Sequence, residues 1–577
     1  MTLQSLVNNL TSNTMDVSLP LFRPELIICA TIVVMLVARI PRFTAWIDSL
    51  WVALLGVAVA FWYALPEGGV AAIGAVERHE LFTGMLVYDS MTVFFRLFLV
   101  AFAFAFIILV RLSGLTDRED CQDFYTLLLG ATLGMCLMAS ANHLITVFLG
   151  VEMASVPSYV MTGIIKGRRR ASEAALKYAV YGAGAAGVML YGISLLAGLT
   201  GSAHLPTIAA KLSTMDFAAT GGGTIMVLVL AGLMIMVGLA FKLSAVPFHF
   251  WCPDVFEGAS AEVDAFLSVA SKAAAMALLV RVAIGLGTQP AVPAAAPTAL
   301  HAVPARTVAF QQLAEPSAAA NAPAASPAIA QPAAQNVAAA PADPAALAPV
   351  RRFMVLLLSI LAAVTCTFGN LAAYGQSNIK RMLAYSTIAH AGYMIMAVAA
   401  AVQLAGTNAV SSREAVAALL FYLSLYVFMN LGAFAIVAFL RNTIGSEEIA
   451  DYAGLIRTMP VTSVALTAIL VSLIGIPPMA GFMGKFAIFQ SLVVAGGPIM
   501  ITLLVIAGIN TAVSLVYYLR VAKVVCIDAA PADRGPASIG ILPALYVLIV
   551  AVPVLVYGII PAQVLKIAEQ ATQNLLM

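Results

Sequence analysis

Three lysines that lie deep inside apolar stretches are the residues of this sequence best suited to chemistry. Lys242, in "GLAFKLSAVPFHFW", follows a long run with almost no charge, and Pro247 interrupts that run. Lys272 and Lys485 lie equally deep in their own apolar stretches. A charge at the centre of a bilayer costs about 2.5–3.5 kcal/mol on insertion scales, so each lysine needs an internal partner or water.

An acid inside an apolar stretch is the natural partner for such a lysine. Glu152, in "LGVEMASVPSYVM", is the only acid deep in the apolar stretches between residues 124 and 200. Burial disfavours the charged form of a lysine and a nearby carboxylate favours it, so a lysine held between these influences can gain and lose a proton. A purely structural ion pair is the alternative. The complete set of charges inside apolar stretches is Arg96, Glu152, Lys177, Lys242, Lys272, Arg281 and Lys485.

Two histidines could extend a proton pathway, because a neutral imidazole both donates and accepts a hydrogen bond. They are His249, just after Pro247, and His390 in "YSTIAHAGY". A lone histidine can equally be only a satisfied hydrogen-bonding group. Arg281 stands near the end of its apolar stretch and could extend to the membrane interface instead of being buried.

A metal, redox or nucleotide site is not expected in this chain. The six cysteines are scattered without a C-x-x-C pair, whereas zinc and iron–sulfur sites need clustered thiolates. The run "GAGAAG" at 182–187 lies inside an apolar stretch and favours close helix packing over a dinucleotide site. Any energy for transport must therefore come from a partner.

Composition places the chain in a membrane. Its 577 residues are 62% hydrophobic and 10% charged, whereas soluble proteins carry about a quarter charged residues. The net charge of +2, without basic clusters interleaved with aromatics, argues against a nucleic-acid partner. The polar N-terminus has no basic region typical of a cleaved signal peptide.

Apolar segments of about 20 residues, the length that crosses a bilayer as a helix, recur along the chain. Non-alternating apolar runs favour helices over strands, so we expect an all-α polytopic membrane protein. We predict about fourteen spans, at 24–40, 48–65, 91–112, 124–140, 142–164, 173–200, 224–250, 262–286, 353–374, 382–404, 414–440, 460–496, 499–525 and 539–560.

The loops between these spans predict orientation. One set of alternate loops holds most of the Lys and Arg residues, including Arg39, Arg42, Arg118 and Arg534, which makes it cytoplasmic. Both termini then lie on the opposite side. Residues 288–350 differ from the rest because Ala and Pro dominate them, which predicts a disordered non-cytoplasmic loop.

Two interrupted spans indicate internal symmetry. Span seven is broken near Pro247 and span twelve at Pro477 and Pro478 in "GIPPMAGFMGKF", each beside a lysine. The breaks are five spans apart, which is typical of two inverted five-helix repeats around a transport pathway. The predicted divisions are 1–123 for the first three spans, 124–286 for the first repeat, 287–350 for the loop, 351–527 for the second repeat, and 528–577 for the last span and tail.

Four stretches resemble the antiporter-like membrane subunits of respiratory NADH–quinone oxidoreductase (complex I), most closely the subunit N branch. They are "ALKYAVYGAGA" at 175–185, "PFHFWCPDVFEGAS" at 247–260, "NIKRMLAYSTIAHAGYM" at 378–394, and "GIPPMAGFMGKF" at 475–486. Together with the span count, the resemblance covers almost the whole chain.

The resemblance implies one proton-translocating unit and a role for each buried charge. Glu152 takes the position of the family's key glutamate, Lys242 of its broken-helix lysine, and Lys272 of its central lysine. Lys485 takes the exit-side position of the second half, and Lys177 would lie between the glutamate and the first pathway.

The same resemblance implies an assembly in a bacterial inner membrane. Flavin, iron–sulfur clusters and quinone are expected on partner subunits, with no cofactor and no direct NADH binding here. The expected partners are other membrane-arm subunits and the lipid bilayer. A subunit of a sodium/proton antiporter or a membrane-bound hydrogenase, and a purely structural scaffold, stay open as alternatives.

The start of span eight departs from the family pattern. "GASAEVDAF" carries Glu262 and Asp264 where the family tends to have Pro and Thr. Two acids at the start of a helix can simply interact favourably with the positive end of the helix dipole. Because Asp264, Ser268 and Lys272 are spaced four residues apart, they could also lie on one helix face and form a hydrated path to the lysine.

Overall fold

Helices make up almost all of the chain that the structure describes. The computed structural model describes residues 3–38, 48–115, 121–289, 345–531 and 538–576. In the first half of the chain the α-helices are α1 Leu3–Asn13, α2 Leu19–Leu21, α3 Arg23–Ala38, α4 Ser49–Ala64, α5 Ser90–Ser113, α6 Cys121–Ser140, α7 Leu144–Thr162, α8 Arg169–Thr200, α9 Leu205–Ser213, α10 Gly222–Leu243 and α11 Trp251–Gly258.

The second half of the chain continues the same helical architecture. Its α-helices are α12 Ala261–Phe266, α13 Lys272–Gly287, α14 Ala348–Ala373, α15 Ile379–Leu404, α16 Ala409–Ile444, α17 Pro460–Ile474, α18 Ala480–Ala495, α19 Gly497–Cys526, α20 Ile541–Ile559 and α21 Ala562–Gln570. Two π-helical segments cover Thr14–Ser18 and Leu267–Ser271, and short 3₁₀ turns cover Val70–Ala75, Ile449–Tyr452 and Leu455–Arg457.

The predicted all-helical membrane fold is confirmed, but the count of fourteen spans is not. Each predicted span coincides with a described helix or helix pair. Of the helices in the described ranges, 11 are long and apolar enough to cross a membrane, or 12 if the pair bent by 78° before Arg23 counts as one span. The difference arises because α4, α17 and α18 are each shorter than a full span.

Both predicted helix breaks are present. Residues 244–250, which contain Pro247, separate α10 from α11, and residues 475–479, which contain Pro477 and Pro478, separate α17 from α18. Proline has no N–H to donate and its ring clashes with the preceding turn, which favours a break at both sites, although Pro157 and Pro553 lie within the continuous helices α7 and α20. The inverted relation between the two repeats and the five divisions of the chain stay predictions.

The start of span eight contains a π-helical turn that the sequence did not predict. Residues Leu267–Ser271 adopt it, and Lys272 follows directly. A π turn holds more residues than an α turn, so it changes the angles at which Asp264, Ser268 and Lys272 leave the helix axis. The shared face of these three residues stays a prediction, and the Ser268 hydroxyl donates to the Ala265 carbonyl at 3.1 Å.

The core lies along α13, α15 and α16. The apolar window of α15 is 94% buried inside the protein, whereas that of α10 is only 33% buried. Outer helices such as α10 therefore present a side to lipid, while α15 can hold polar groups away from it.

The loops rich in Lys and Arg meet at one end of the helix bundle. The Asn442 amide donates to the Ser113 carbonyl at 2.7 Å, and Asn378 pairs with Glu448 as an isolated bridge. We call this end, which carries Lys380, Arg381 and Arg441, the basic end. Several loop cations that favour the predicted orientation (Arg39, Arg42, Arg118 and Arg534) and most of the Ala/Pro-rich loop (290–344) lie outside the described residues.

A small hairpin marks the opposite end of the bundle. Strands β1 His79–Leu81 and β2 Leu86–Tyr88 pair antiparallel, with Glu80 opposite Val87. Leu86 also bridges to Ala141, which ties the hairpin to the loop between α6 and α7. The sequence analysis did not predict this hairpin, because each strand has only three residues.

Candidate functional site

Lys242 lies in the last turn of α10 and is 1% exposed. Its Nζ donates to the Ser155 hydroxyl on α7 at 3.0 Å. Glu152 lies one turn earlier on α7, half-buried and close enough for the two charges to attract. No nitrogen–oxygen distance within 4.0 Å joins these two described residues. The direct partner of the lysine is therefore a neutral hydroxyl, which the sequence did not predict.

An aromatic stack holds the chain at the break beside Lys242. The Trp251 indole donates to the Phe241 carbonyl at 3.0 Å, in the last turn of α10. The Trp251 ring stacks on Tyr178 with centroids 4.3 Å apart, and Tyr159 meets Tyr178 edge-on. These contacts bring α8 and α11 together next to the lysine.

Lys272 connects the two halves of the chain. It is 2% exposed, and its Nζ donates to the Thr387 hydroxyl on α15 at 2.8 Å. The Thr387 hydroxyl in turn donates to the Ala384 carbonyl at 2.8 Å. A lysine of the first predicted repeat thus contacts a helix of the second.

His390 lies one turn beyond Thr387 on α15, and its two ring nitrogens contact two tyrosines. Nδ1 is hydrogen-bonded to the Tyr422 hydroxyl on α16, and Nε2 lies 3.2 Å from the Tyr518 hydroxyl on α19. Tyr518 is also hydrogen-bonded to Ser386. A neutral imidazole donates from one nitrogen and accepts at the other. The hydrogen bonds to the two tyrosines therefore determine which ring nitrogen of His390 carries the proton.

Lys485 lies on α18, five residues after the break, and is 3% exposed. Its Nζ donates to the carbonyls of Leu473 and Ile474, each at 3.0 Å. These carbonyls end α17 and have no partner within their own helix. The ammonium also lies 4.6 Å from the centre of the Tyr393 ring, which is a cation–π contact.

One side of α15 contacts both central lysines. Thr387, His390 and Tyr393 follow one another at three-residue spacing, so they share that side. Thr387 binds Lys272 and Tyr393 faces Lys485, while the charges of both lysines act on His390 between them. We call the set Glu152, Lys242, Lys272, His390 and Lys485 the buried axis.

Lys177 is placed differently from the prediction. Its side chain is 35% exposed and forms ion pairs with Glu173 and Asp254, both at 2.9 Å. Arg381 joins the same network through Asp254 at 2.9 Å. The interpretation of Lys177 as a charge buried inside a span is wrong, because α8 extends past the membrane-length core towards the basic end. Its predicted role in the pathway stays a prediction.

His249 lies in the break between α10 and α11. Its ring meets the edge of Phe368 on α14 with centroids 4.5 Å apart. The Nδ1 atom is buried without a hydrogen-bond partner in the described part of the protein. The structure brings His249 to α14, and its participation in a proton pathway stays a prediction.

The two buried arginines form structural ion pairs. Arg281 is 8% exposed and holds both carboxylate oxygens of Asp89, at 2.5 and 2.6 Å, so the interpretation that it reaches the interface is wrong. Arg96 pairs with Glu25 at 2.5 Å. The sequence analysis missed both acids, because Asp89 precedes its helix as the N-cap and Glu25 stands in the first turn of another.

Broken helices beside buried lysines, in a protein that crosses the membrane many times, are typical of membrane proteins that move ions through their interior. The chain matches the family described as NADH:quinone oxidoreductase/Mrp antiporter, TM, at residues 141–295 and 316–511. These matched ranges include Glu152, Lys242, Lys272, His390 and Lys485.

Curated relatives narrow the assignment. NADH-quinone oxidoreductase subunit N of Anaeromyxobacter sp. is 36% identical, covering 93% of this chain and 93% of the relative. NADH-quinone oxidoreductase subunit N 2 of Symbiobacterium thermophilum is 35% identical over 90% of both chains. The chain therefore belongs to the NADH-quinone oxidoreductase subunit N family.

Solved structures agree with this assignment. A chain of respiratory complex I from Thermus thermophilus with bound aureothin has a TM-score of 0.66 and 29% identity, covering 94% of this chain and 98% of that one. A chain of the Mrp complex from Dietzia sp. has a TM-score of 0.72 at 16% identity, covering 97% of this chain and 98% of that one. The second likeness shows the fold alone.

Proposed function

We propose that this chain is a proton-translocating membrane subunit of NADH-quinone oxidoreductase and that protons cross it through the buried axis. One observation carries the proposal: Lys242, Lys272 and Lys485 are each at most 3% exposed and hydrogen-bonded to neutral oxygens. A lysine held this way is not locked in its charged form, since no carboxylate in the described part of the chain contacts it directly.

The contacts suggest how a proton would be held and released. An ammonium on Lys242 donates to Ser155, and the attraction of Glu152 favours that charged form. If Glu152 is neutralised or drawn away, burial favours the neutral amine and the proton leaves. Changes in the pairing of charges along the axis can therefore move protons without moving whole helices.

The energy must come from outside this chain. Moving one charge against 100 mV costs about 2.3 kcal/mol. We propose that quinone reduction elsewhere in the complex supplies it, with flavin, iron–sulfur clusters and quinone on partner subunits. This chain would bind no NADH and no cofactor, and would contact other membrane-arm subunits and lipid.

The position in the membrane follows from the distribution of charge. We propose a bacterial inner membrane location with the basic end in the cytoplasm, because cytoplasmic loops carry an excess of Lys and Arg. Both termini would then lie on the opposite side. Reporter fusions at the two termini test this orientation.

Replacing Lys272 tests the function. Lys272→Met should abolish most NADH-driven proton uptake into inverted vesicles while the complex still assembles. Lys566→Met is the matched control, since Lys566 is exposed near the end of the chain. Wild-type pumping by Lys272→Met in assembled complex would contradict the proposal and favour a structural scaffold.

The fold is also similar to that of chains in an Mrp complex and in a sulfane sulfur reductase. A subunit of a sodium/proton antiporter is therefore the second candidate function. Mass spectrometry of what co-purifies with the chain in mild detergent separates the two. Flavin and iron–sulfur subunits would support the proposed complex, whereas antiporter subunits would support a sodium/proton antiporter.

A further inference from the structure

A second group of buried acids lies near the basic end of the bundle, outside the buried axis. Glu262 and Asp264 on α12 are both 0% exposed, and none of their four carboxylate oxygens has a hydrogen-bond partner among the residues that the structure describes. A buried polar group without a partner costs about 1–3 kcal/mol, and more if it is charged. Burying these two side chains therefore costs free energy, and packing alone does not explain why they are there.

The charges around the two acids come from two other parts of the chain. Arg441, near the end of α16, has its Nη2 4.0 Å from Glu262 Oε1, which is beyond hydrogen-bond reach. Lys380 on α15 is already held by Glu447 at 2.9 Å and by the Ala259 carbonyl at 2.6 Å.

The charges in this cluster cancel only if the cluster binds one proton. Three carboxyl groups (Glu262, Asp264 and Glu447) interact with two cations (Lys380 and Arg441). With every group ionised, the cluster carries one excess negative charge in a buried position. One proton bound at Asp264 removes that excess and gives this carboxyl group an O–H donor.

A row of further unpaired polar atoms leads from this cluster towards the buried axis. Asn430 on α16 is 0% exposed, and within the described ranges its amide oxygen and amide nitrogen lack a hydrogen-bond partner. The Tyr426 hydroxyl, one turn further along α16, is also buried without a partner in that part of the chain, and its ring lies 5.3 Å from that of His390. Asn430 therefore lies between Arg441 and the axis along the same helix.

The helical segment that carries the two acids also leads towards the buried axis. α12 and the π-helical turn after it both pack against α16. From Asp264 to Lys272 the rise is about 12 Å, at 1.5 Å per residue. Ser268 stands in the π turn between them, and such turns frequently occur at functional sites.

We propose that Glu262 and Asp264 form a proton-loading site that feeds Lys272 from the basic end. In the transfer, the carboxyl O–H bond of Asp264 breaks and the proton passes through water beside Ser268 and Asn430. It then forms an N–H bond on the neutral Lys272 amine, and a proton from the aqueous phase reprotonates the carboxylate. The inference rests on the proposed function.

The test uses the assembled complex with three variants: Glu262→Gln, Asp264→Asn and the double variant. Glu414→Gln, which removes one exposed acid near the start of α16, is the matched control. We expect the double variant to pump nearly normally at acidic pH and at least about tenfold more slowly at alkaline pH, where free protons are scarce and a positioned donor matters most. The control should keep the wild-type pH profile.

Infrared difference spectra provide a readout that a structural role would not move. The wild-type complex should show the band of a protonated carboxyl group, shifted in D₂O, and Asp264→Asn should lose it. Loss of pumping to the same degree at every pH, together with a lower unfolding temperature, would overturn the proposal in favour of a structural role. Pumping that depends on sodium in the wild type and not in the double variant would overturn it in favour of a cation site.

Failure of this inference is distinguishable from failure of the proposed function. If Lys272→Met stops pumping while the double variant keeps the wild-type pH profile, only the loading site is wrong. If Lys272→Met pumps normally, the proposed function itself is wrong, whatever the acid variants do.

Discussion

Lys272, in the first half of this protein, donates a 2.8 Å hydrogen bond to Thr387 in the second half. The lysine follows a π-helical turn in the first half, and the hydroxyl belongs to α15 in the second. Because α15 also carries His390 and Tyr393, a change in the protonation of Lys272 acts directly on the helix that contacts Lys485. The contact is thus a point within the buried axis at which the two halves can exchange a proton or a change of charge.

Thr387→Val removes this hydroxyl and keeps the shape of the side chain. A hydrogen bond to a charged group contributes about 1.5–3 kcal/mol, so we expect proton pumping to fall by about tenfold or more. Thr387→Ser keeps the hydroxyl and should pump at close to the wild-type rate. Proton uptake into inverted vesicles, measured with NADH oxidation, provides the comparison. Equal pumping by the Val and Ser variants would show that the contact only packs the helices.

Lys242 and Glu152 should act as one unit. Lys242→Met should strongly reduce proton pumping and coupled quinone reduction, and Glu152→Gln should do the same. The double variant should be little worse than either, because interacting residues are not additive. The measurement is proton uptake in vesicles for all four forms of the complex.

Lys242→Arg separates a protonation switch from a fixed charge. A guanidinium does not release its proton in the physiological range, so this variant should pump as poorly as Lys242→Met. Wild-type pumping by Lys242→Arg in assembled complex would leave Lys242 as a fixed structural charge. The 3.0 Å contact with Ser155 would then be its anchor.

Much of this architecture could be predicted from the sequence because lipid restricts the choices. Long apolar runs in a membrane favour helices, and prolines within them favour breaks, so the breaks at Pro247 and Pro477 were predictable. The burial of Lys242, Lys272 and Lys485 followed from the same reasoning. The subunit N family is confirmed by the relatives that cover nearly the whole chain.

The partners of the buried charges could not be predicted. Ser155, Thr387 and the carbonyls at the end of α17 are common groups with no signal in the sequence, and the fold alone brings them to the lysines. The sequence also contains no signal for the π turn before Lys272, because this turn shifts the helical register by one residue without a proline or glycine.

The Arg281–Asp89 pair should be required for stability. Asp89→Asn leaves the Arg281 guanidinium buried without its carboxylate, which typically costs about 3–5 kcal/mol. Replacing both, with Asp89→Leu and Arg281→Met, should cost less than Asp89→Asn alone, since no unpaired charge then remains. Thermal unfolding of the purified complex provides the measurement. A double variant that is less stable than Asp89→Asn would contradict this account.

The hairpin opposite the basic end should loosen at acidic pH. His204, whose Nε2 lies 3.4 Å from Glu80 Oε1, lowers the pKa of Glu80 below its ordinary value of 4.5, with a smaller contribution from the Asn142 amide. A carboxyl group whose pKa is lowered by folding stabilises the folded state above its ordinary pKa, and this stabilisation is lost as the pH falls through the lowered value. Wild-type protein should therefore lose protection of the amides of residues 79–88 from hydrogen exchange as the pH falls below about 4.5.

Glu80→Gln isolates this contribution. The variant should exchange faster than wild type at neutral pH and should show a smaller loss of protection on acidification, because it has no carboxyl group to titrate. Glu77→Gln is the matched control, since the Glu77 side chain is 87% exposed and only 3.7 Å from His79 as a surface pair. Surface pairs contribute little, typically about 0–1 kcal/mol, so this control should behave like wild type. If Glu80→Gln and wild type lose protection equally on acidification, the titration of Glu80 does not hold the hairpin.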